Sequence, residues 1–171
     1  IGDEVHAALG DLIAQDLVVV RRTEFWLEVE IQADILFASG SARIDAAALT
    51  VLDRLAEVLQ PFPNLLRIEG HTDDVPIATA MFPSNWELSS ARAAGVVHRF
   101  MAQGIDPRRM TVQGLSQYQP VADNGVATGR NRNRRVVIVV LADEAAPMPA
   151  AVAPTVTTTA MAPPPDPRPA G

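Results

Sequence analysis

The chain has 171 residues, 48% of them hydrophobic, and a net charge of -6 at pH 7. That is enough for one domain with a proper core, and it gives no general basic face for nucleic acid or anionic lipid. The absence of cysteine excludes disulfides, thiolate nucleophiles and cysteine-based zinc sites.

Val5, Ala8, Leu9, Leu12 and Ile13 recur at helical spacing, with Asp3, Glu4, Asp11 and Asp16 mostly opposite, so residues 1–17 are expected to form a short amphipathic helix. Val18–Val20 and Phe25–Ile31 read as two strands joined near Arg21-Arg22-Thr23. In the second, Phe25, Leu27, Val29 and Ile31 alternate with Trp26, Glu28, Glu30 and Gln32. A loop with Ser39-Gly40-Ser41 leads to a core helix from about Asp45 to Gln60, ended by Pro61. Leu65–Gly70 is a short strand that delivers His71-Thr72-Asp73 at its carboxyl end.

Ser84-x-x-Glu87 has the form of a capping box, with Ser89 as an alternative cap. The helix it opens continues through Val96, Val97, Phe100 and Met101 to Gly104, and Pro107 prevents its resumption. A strand over Met110–Leu115 follows, then a polar loop over 117–132 with one helical turn. Arg135–Leu141 is a Val/Ile strand whose lack of alternation implies burial on both faces or a central position in a sheet. The expected division is a linker with its helix over 1–22, a domain over 23–144, and a disordered Pro/Ala/Thr-rich tail over 145–171. This order of elements predicts an α+β or α/β sandwich with two helices on one sheet.

No stretch reaches the roughly 18 to 20 apolar residues that a membrane helix needs. The chain begins at Ile1 without a signal-peptide pattern, so it is expected to be a fragment whose targeting element or anchor lies upstream.

Asp73 and Arg92 bring a carboxylate and a guanidinium to one region, suited to a ligand with both an ammonium and a carboxylate. The same residues also fit a solvated turn and an exposed helix arginine. His71 reads as a strand-end residue that packs or makes one hydrogen bond. The chain has neither a His-Glu-x-x-His pair nor a nucleophile elbow, so no metal site or catalytic constellation is expected. The arginines of 130–135 lack the interleaved aromatics of an RNA platform and read as a loop feeding a strand. Trp26 and Trp86 are expected to be packing residues.

Phe37, Gly70-His71-Thr72-Asp73, Asn85, Leu88-Ser89, Arg92-Ala93, Gly104, Gly114, Pro120 and Asn133-Arg134-Arg135-Val136 occur in an order that resembles the OmpA-like peptidoglycan-binding domain, over residues 25 to 141. The resemblance implies a two-layer α/β sandwich: a mixed four-stranded sheet with two main helices, plus the N-terminal helix. It implies non-catalytic binding of the diaminopimelate of a peptidoglycan stem, with Arg92 on the carboxylate and Asp73 on the ammonium. Phe37, Ser39, Thr72, Asn85 and Leu88 would complete the pocket, with Arg135 as a further contact or a brace. No cofactor is implied.

Within the family, the wording Gly70–Ile77 and Phe82–Ser89 is most similar to the flagellar stator proteins of the MotB and MotD type. That similarity implies a periplasmic wall anchor, a homodimer, and a MotA-type partner met through a membrane helix upstream. The alternatives are an outer-membrane lipoprotein or porin-associated anchor with the same domain, and an amidase or peptidase.

Overall fold

In the computed structural model the described residues are 1–23 and 26–141; the expected tail and the domain end near residue 144 lie outside them. The elements in chain order are helix α1 (Gly2–Ala14), strands β1 (Val18–Arg22) and β2 (Trp26–Gln32), the single turn α2 (Ala33–Leu36), and helix α3 (Ala46–Leu59). Strand β3 (Leu66–His71) and helix α4 (Asn85–Ala102) follow, then a 3-10 turn (Pro107–Arg109), strand β4 (Met110–Gly114), helix α5 (Ala127–Asn133) and strand β5 (Arg135–Leu141).

The strands form one mixed sheet in the order β1-β2-β5-β3-β4. β5 runs antiparallel to β2 on one side and to β3 on the other, and β3 and β4 are parallel. The sheet therefore has five strands rather than the expected four. The added strand is β1, which pairs antiparallel with β2 from Val18 opposite Ile31 to Arg22 opposite Leu27. Its unpaired partner edge on β2 would otherwise leave a row of backbone donors and acceptors open. α1 closes over the same region, with Val5 and Leu9 fully buried in the main core.

Alternation sorts the sheet's residues into two faces. Leu27, Val29 and Ile31 of β2, Leu66 and Ile68 of β3, and Val136, Ile138 and Val140 of β5 belong to the core that Leu52, Leu55, Leu59, Val96 and Phe100 of the helices complete. On the other face Val137 stands between Glu30 and Glu69, and Val139 between Glu28 and Arg67. Both valines are nonetheless buried, because long charged side chains lay their aliphatic stems over apolar neighbours. Ion pairs Arg21–Glu30 and Arg67–Glu69, each 2.7 Å, hold that cover in place. The unbroken apolar run of β5 thus has the two-sided burial its sequence implied.

α4 begins where the capping box places it. The Ser84 hydroxyl accepts from the Trp86 amide at 3.1 Å and donates to the Glu87 carboxylate, while Gly104, at φ +89°, lies just beyond the helix end. The helix rests directly on β3 and β4 because Gly70 and Gly114 sit side by side in the parallel register. A Cβ on Gly70 would fall 2.0 Å from the Ser89 carbonyl oxygen, and one on Gly114 1.9 Å from the Ser90 hydroxyl. Neither distance is open to a real side chain, so the contact requires glycine at both positions.

In the long connection from β4 to α5, the segment over 121–124 is held by the buried Asn133 side chain. The Asn133 amide oxygen accepts from Val121 and Ala122 at 2.8 and 2.9 Å, and its Nδ2 donates to the Ala122 carbonyl and the Asn124 side chain.

Gly70→Ala is expected to lower stability by about 1–3 kcal/mol, the usual cost of overpacking against backbone, measured as a lower urea midpoint with an unchanged slope. Asn133→Ala should cost about 1–2 kcal/mol by removing the hydrogen bonds its buried amide makes to the part-buried loop. Its amides between residues 121 and 124 should exchange with deuterium well before those of β5.

Candidate functional site

β3 ends at His71, and the chain then turns. His71 is buried and points with Arg67 and Glu69 to the face away from the helices, its Nε2 3.3 Å from Glu69. This is the single-contact packing role expected for it. The following residues come over to the helical side, where Thr72 is pinned by its amide to the Ser116 carbonyl at 2.9 Å. Ser116 holds φ +52°, and its own amide donates to the Ser89 hydroxyl at 3.1 Å. Asp73 closes a turn by accepting from the Val75 amide at 3.1 Å.

Asn85 locks this turn from the first residue of α4. Its Nδ2 lies 3.1 Å from the Val75 carbonyl, 3.0 Å from Gln117 Oε1 and 3.4 Å from the Asp73 carbonyl. The amide group of Asn85 is therefore spent on positioning the loops beside it. Leu88 and Arg92 follow on the same face, three and seven residues on.

Arg92 is only 4% exposed. Its Nε donates to the Ser41 carbonyl at 2.8 Å, and its guanidinium lies 5.1 Å over the Phe37 ring, a cation-π geometry. Burial pulls its pKa down from the ordinary value, partly opposed by the nearby charge of Asp34. The arginine is desolvated and aimed, and its terminal nitrogens are available to a carboxylate of the right planar shape.

Asp73 and Arg92 line one groove of about 800 Å³, together with Phe37, Ser39, Thr72, Asn85 and Leu88. Seven of the eight residues proposed from sequence are thus brought together. Arg135 is the exception. It opens β5 on the opposite face, donating to the Asn133 and Gln119 carbonyls at 3.3 and 3.2 Å, with Nε 3.9 Å from Glu30.

The arginine that does reach the groove is its neighbour. Arg134 donates through Nη1 to the Asp73 carboxylate at 2.7 Å and through Nη2 to Asp34 at 3.1 Å. Asp73 is therefore ion-paired with Arg134, and Arg92 makes its contacts elsewhere. Period-two alternation along the strand contained the signal. Val136 faces the helices, so Arg134 shares its side and Arg135 does not. Asp34 carries no comparable mark in the sequence. Asp45 and Arg130 also line the groove, so its walls carry three acids and three arginines. Among the described residues, no group of three or more His, Asp or Glu could hold a metal ion.

Trp86 departs from its expected packing role. It is 47% exposed and stacks on Tyr118, itself 66% exposed, with ring centroids 5.4 Å apart at an interplanar angle of 27°. Trp26 is also partly exposed, at 38%.

Comparison with known proteins agrees with this architecture. The chain is 38% identical over 132 residues to Uncharacterized protein YtxE of Bacillus subtilis, covering 77% of this chain and 54% of the relative. It is 31% identical over 134 residues to Motility protein B of the same organism, covering 77% and 51%. The chain thus spans about half the length of these curated relatives. The solved structure of the cell wall anchor of the T6SS from Pseudomonas aeruginosa superposes with a TM-score of 0.78 at 39% identity, covering 84% of this chain and 100% of that one. The model of the OmpA family matches residues 36–134, which include every residue named in the groove except Asp34, and the chain belongs to the OmpA family.

Proposed function

We propose that the groove binds the peptide stem of peptidoglycan, without catalysis, by gripping both ends of a diaminopimelate side chain. The observation that carries this reading is a desolvated Arg92 braced on Phe37 in the same cavity as the Asp73 carboxylate. A zwitterionic group fits such a pair with its carboxylate on Arg92 and its ammonium on Asp73. Arg134 occupies Asp73 in the free protein, and its second partner Asp34 lets it remain paired while the ligand ammonium enters. Ser39, Thr72, Asn85 and Leu88 shape the walls. Arg135 acts as a brace between the sheet and the loop at Gln119.

The domain serves as a periplasmic wall anchor joined to a membrane helix upstream, and residues 1–22, expected as a linker, pack into its sheet and core. Among the described residues, no helix is long and apolar enough to cross a membrane. The likeness to Motility protein B favours attachment to a flagellar stator, as a homodimer beside a MotA-type subunit. The T6SS anchor supports the wall-binding part equally well and the motor part not at all. The chemistry of the groove is common to both attachments, so the machine attached is set outside it.

Pull-down with diaminopimelate-type peptidoglycan is expected to retain the wild-type chain and to lose Asp73→Asn and Arg92→Ala by at least about tenfold each, the scale of unpairing a buried charge. Circular dichroism establishes that both variants are folded. Full retention of both folded variants would overturn the reading. Normal swimming of cells carrying either substitution in the full-length protein, with wall binding lost, would overturn the motor assignment alone.

A further inference from the structure

The stacked pair Trp86–Tyr118 belongs to no part of the core and takes no part in the charge chemistry of the groove. A large aromatic left half in water forfeits part of its burial, and two of them side by side form an exposed patch of the kind that marks an interaction surface. The pair is also held in place. Trp86 is anchored by the Ser84 cap at the start of α4, and Tyr118 follows Gln117, which accepts from Asn85 at 3.0 Å. Stacking restricts both rings before any partner arrives, so a ligand meets a platform whose ordering cost is already met.

The platform is continuous with the groove. Asn85 lines the cavity and Trp86 is the next residue; Val75, 54% exposed, lines the same edge. We propose that Trp86 and Tyr118 form a carbohydrate subsite, on which a pyranose ring of the peptidoglycan glycan strand lies while the attached stem sits in the groove. This inference rests on the stem reading of the groove. A stem residue two positions from its attachment to the sugar places that sugar roughly 7–10 Å away along an extended chain. Asn85, whose Nδ2 lies 3.4 Å from the Asp73 carbonyl and 3.0 Å from Gln117 Oε1, joins the Asp73 turn to the edge where Trp86 and Tyr118 stand. The axial C–H groups of a pyranose carry partial positive charge and complement the negative faces of the aromatic rings. Gln117, Ser84 and Glu87 stand beside them as hydrogen-bonding groups for hydroxyl and acetamido substituents.

The test compares titration of the chain with a free diaminopimelate-containing stem peptide and with the same peptide carried on its disaccharide. The wild type is expected to bind the disaccharide-peptide about two- to tenfold more tightly, the worth of one aromatic stack. Trp86→Ala and Tyr118→Ala should abolish that gain while leaving the affinity for the free peptide unchanged, and Trp86→Phe should restore most of it. With Trp26→Phe as background, the fluorescence of Trp86 should shift with the disaccharide-peptide and not with the peptide.

Equal wild-type affinity for the two ligands, with the peptide still bound, would overturn the subsite and leave the groove reading intact. So would alanine variants that weaken both ligands alike. Binding of neither ligand would overturn both. A change of oligomeric state on Trp86→Ala, measured by sedimentation without a change in sugar preference, would assign the aromatic pair to a protein contact and overturn the subsite.

Discussion

The site depends on how closely α4 lies on the parallel pair β3–β4. Gly70 and Gly114 present no side chain at adjacent points of the sheet, and Ser89 and Ser90 of the helix occupy the space. A helix that touches the sheet there has no freedom to slide, since interiors packed to this density transmit displacement rather than absorb it. Asn85 is thereby set against the turn after β3, and Arg92, two turns further along, against Phe37 and Ser41. The Ser89 hydroxyl bonds the Ser116 amide and Ser116 receives the Thr72 amide, so the helix, the turn at Asp73 and the loop after β4 are fastened at one place.

Charge in the groove is balanced by pairing among its acids and arginines. Burying a guanidinium is tolerable only when its donors are met and its field is compensated. Arg92 has the Ser41 carbonyl, the Phe37 ring and the fields of Asp34 and Asp73. Arg134 joins Asp34 to Asp73 across the mouth. Such a network keeps the free groove near neutrality and offers any incoming zwitterion an exchange of partners instead of a new burial of charge. Three consecutive residues divide the labour here: Asn133 holds the loop over 121–124, Arg134 meets the acids of the groove, and Arg135 secures the far face of the sheet.

The relatives differ in what their names attach to the same architecture. A motility protein and a cell wall anchor of a secretion machine share it at 31% and 39% identity. A fold that positions a site is compatible with many assemblies. This chain spans roughly half of the curated relatives' length.

The sequence by itself determined the elements, because helical and strand periodicities, the Ser84 cap and Gly104 are local signals that local energetics obey. It also marked part of the groove: Asp73 follows a strand that ends at His71, and Asn85, Leu88 and Arg92 share a helical face. Tertiary structure alone decided the partnerships. The pairing of Asp73 with Arg134 follows from which side of β5 each arginine takes once the register is set. The exposure of Trp86 follows from where the start of α4 meets the loop at Tyr118. The Asp73–Arg134 and Trp86–Tyr118 contacts join residues more than 30 positions apart, and their geometry is fixed by packing in three dimensions.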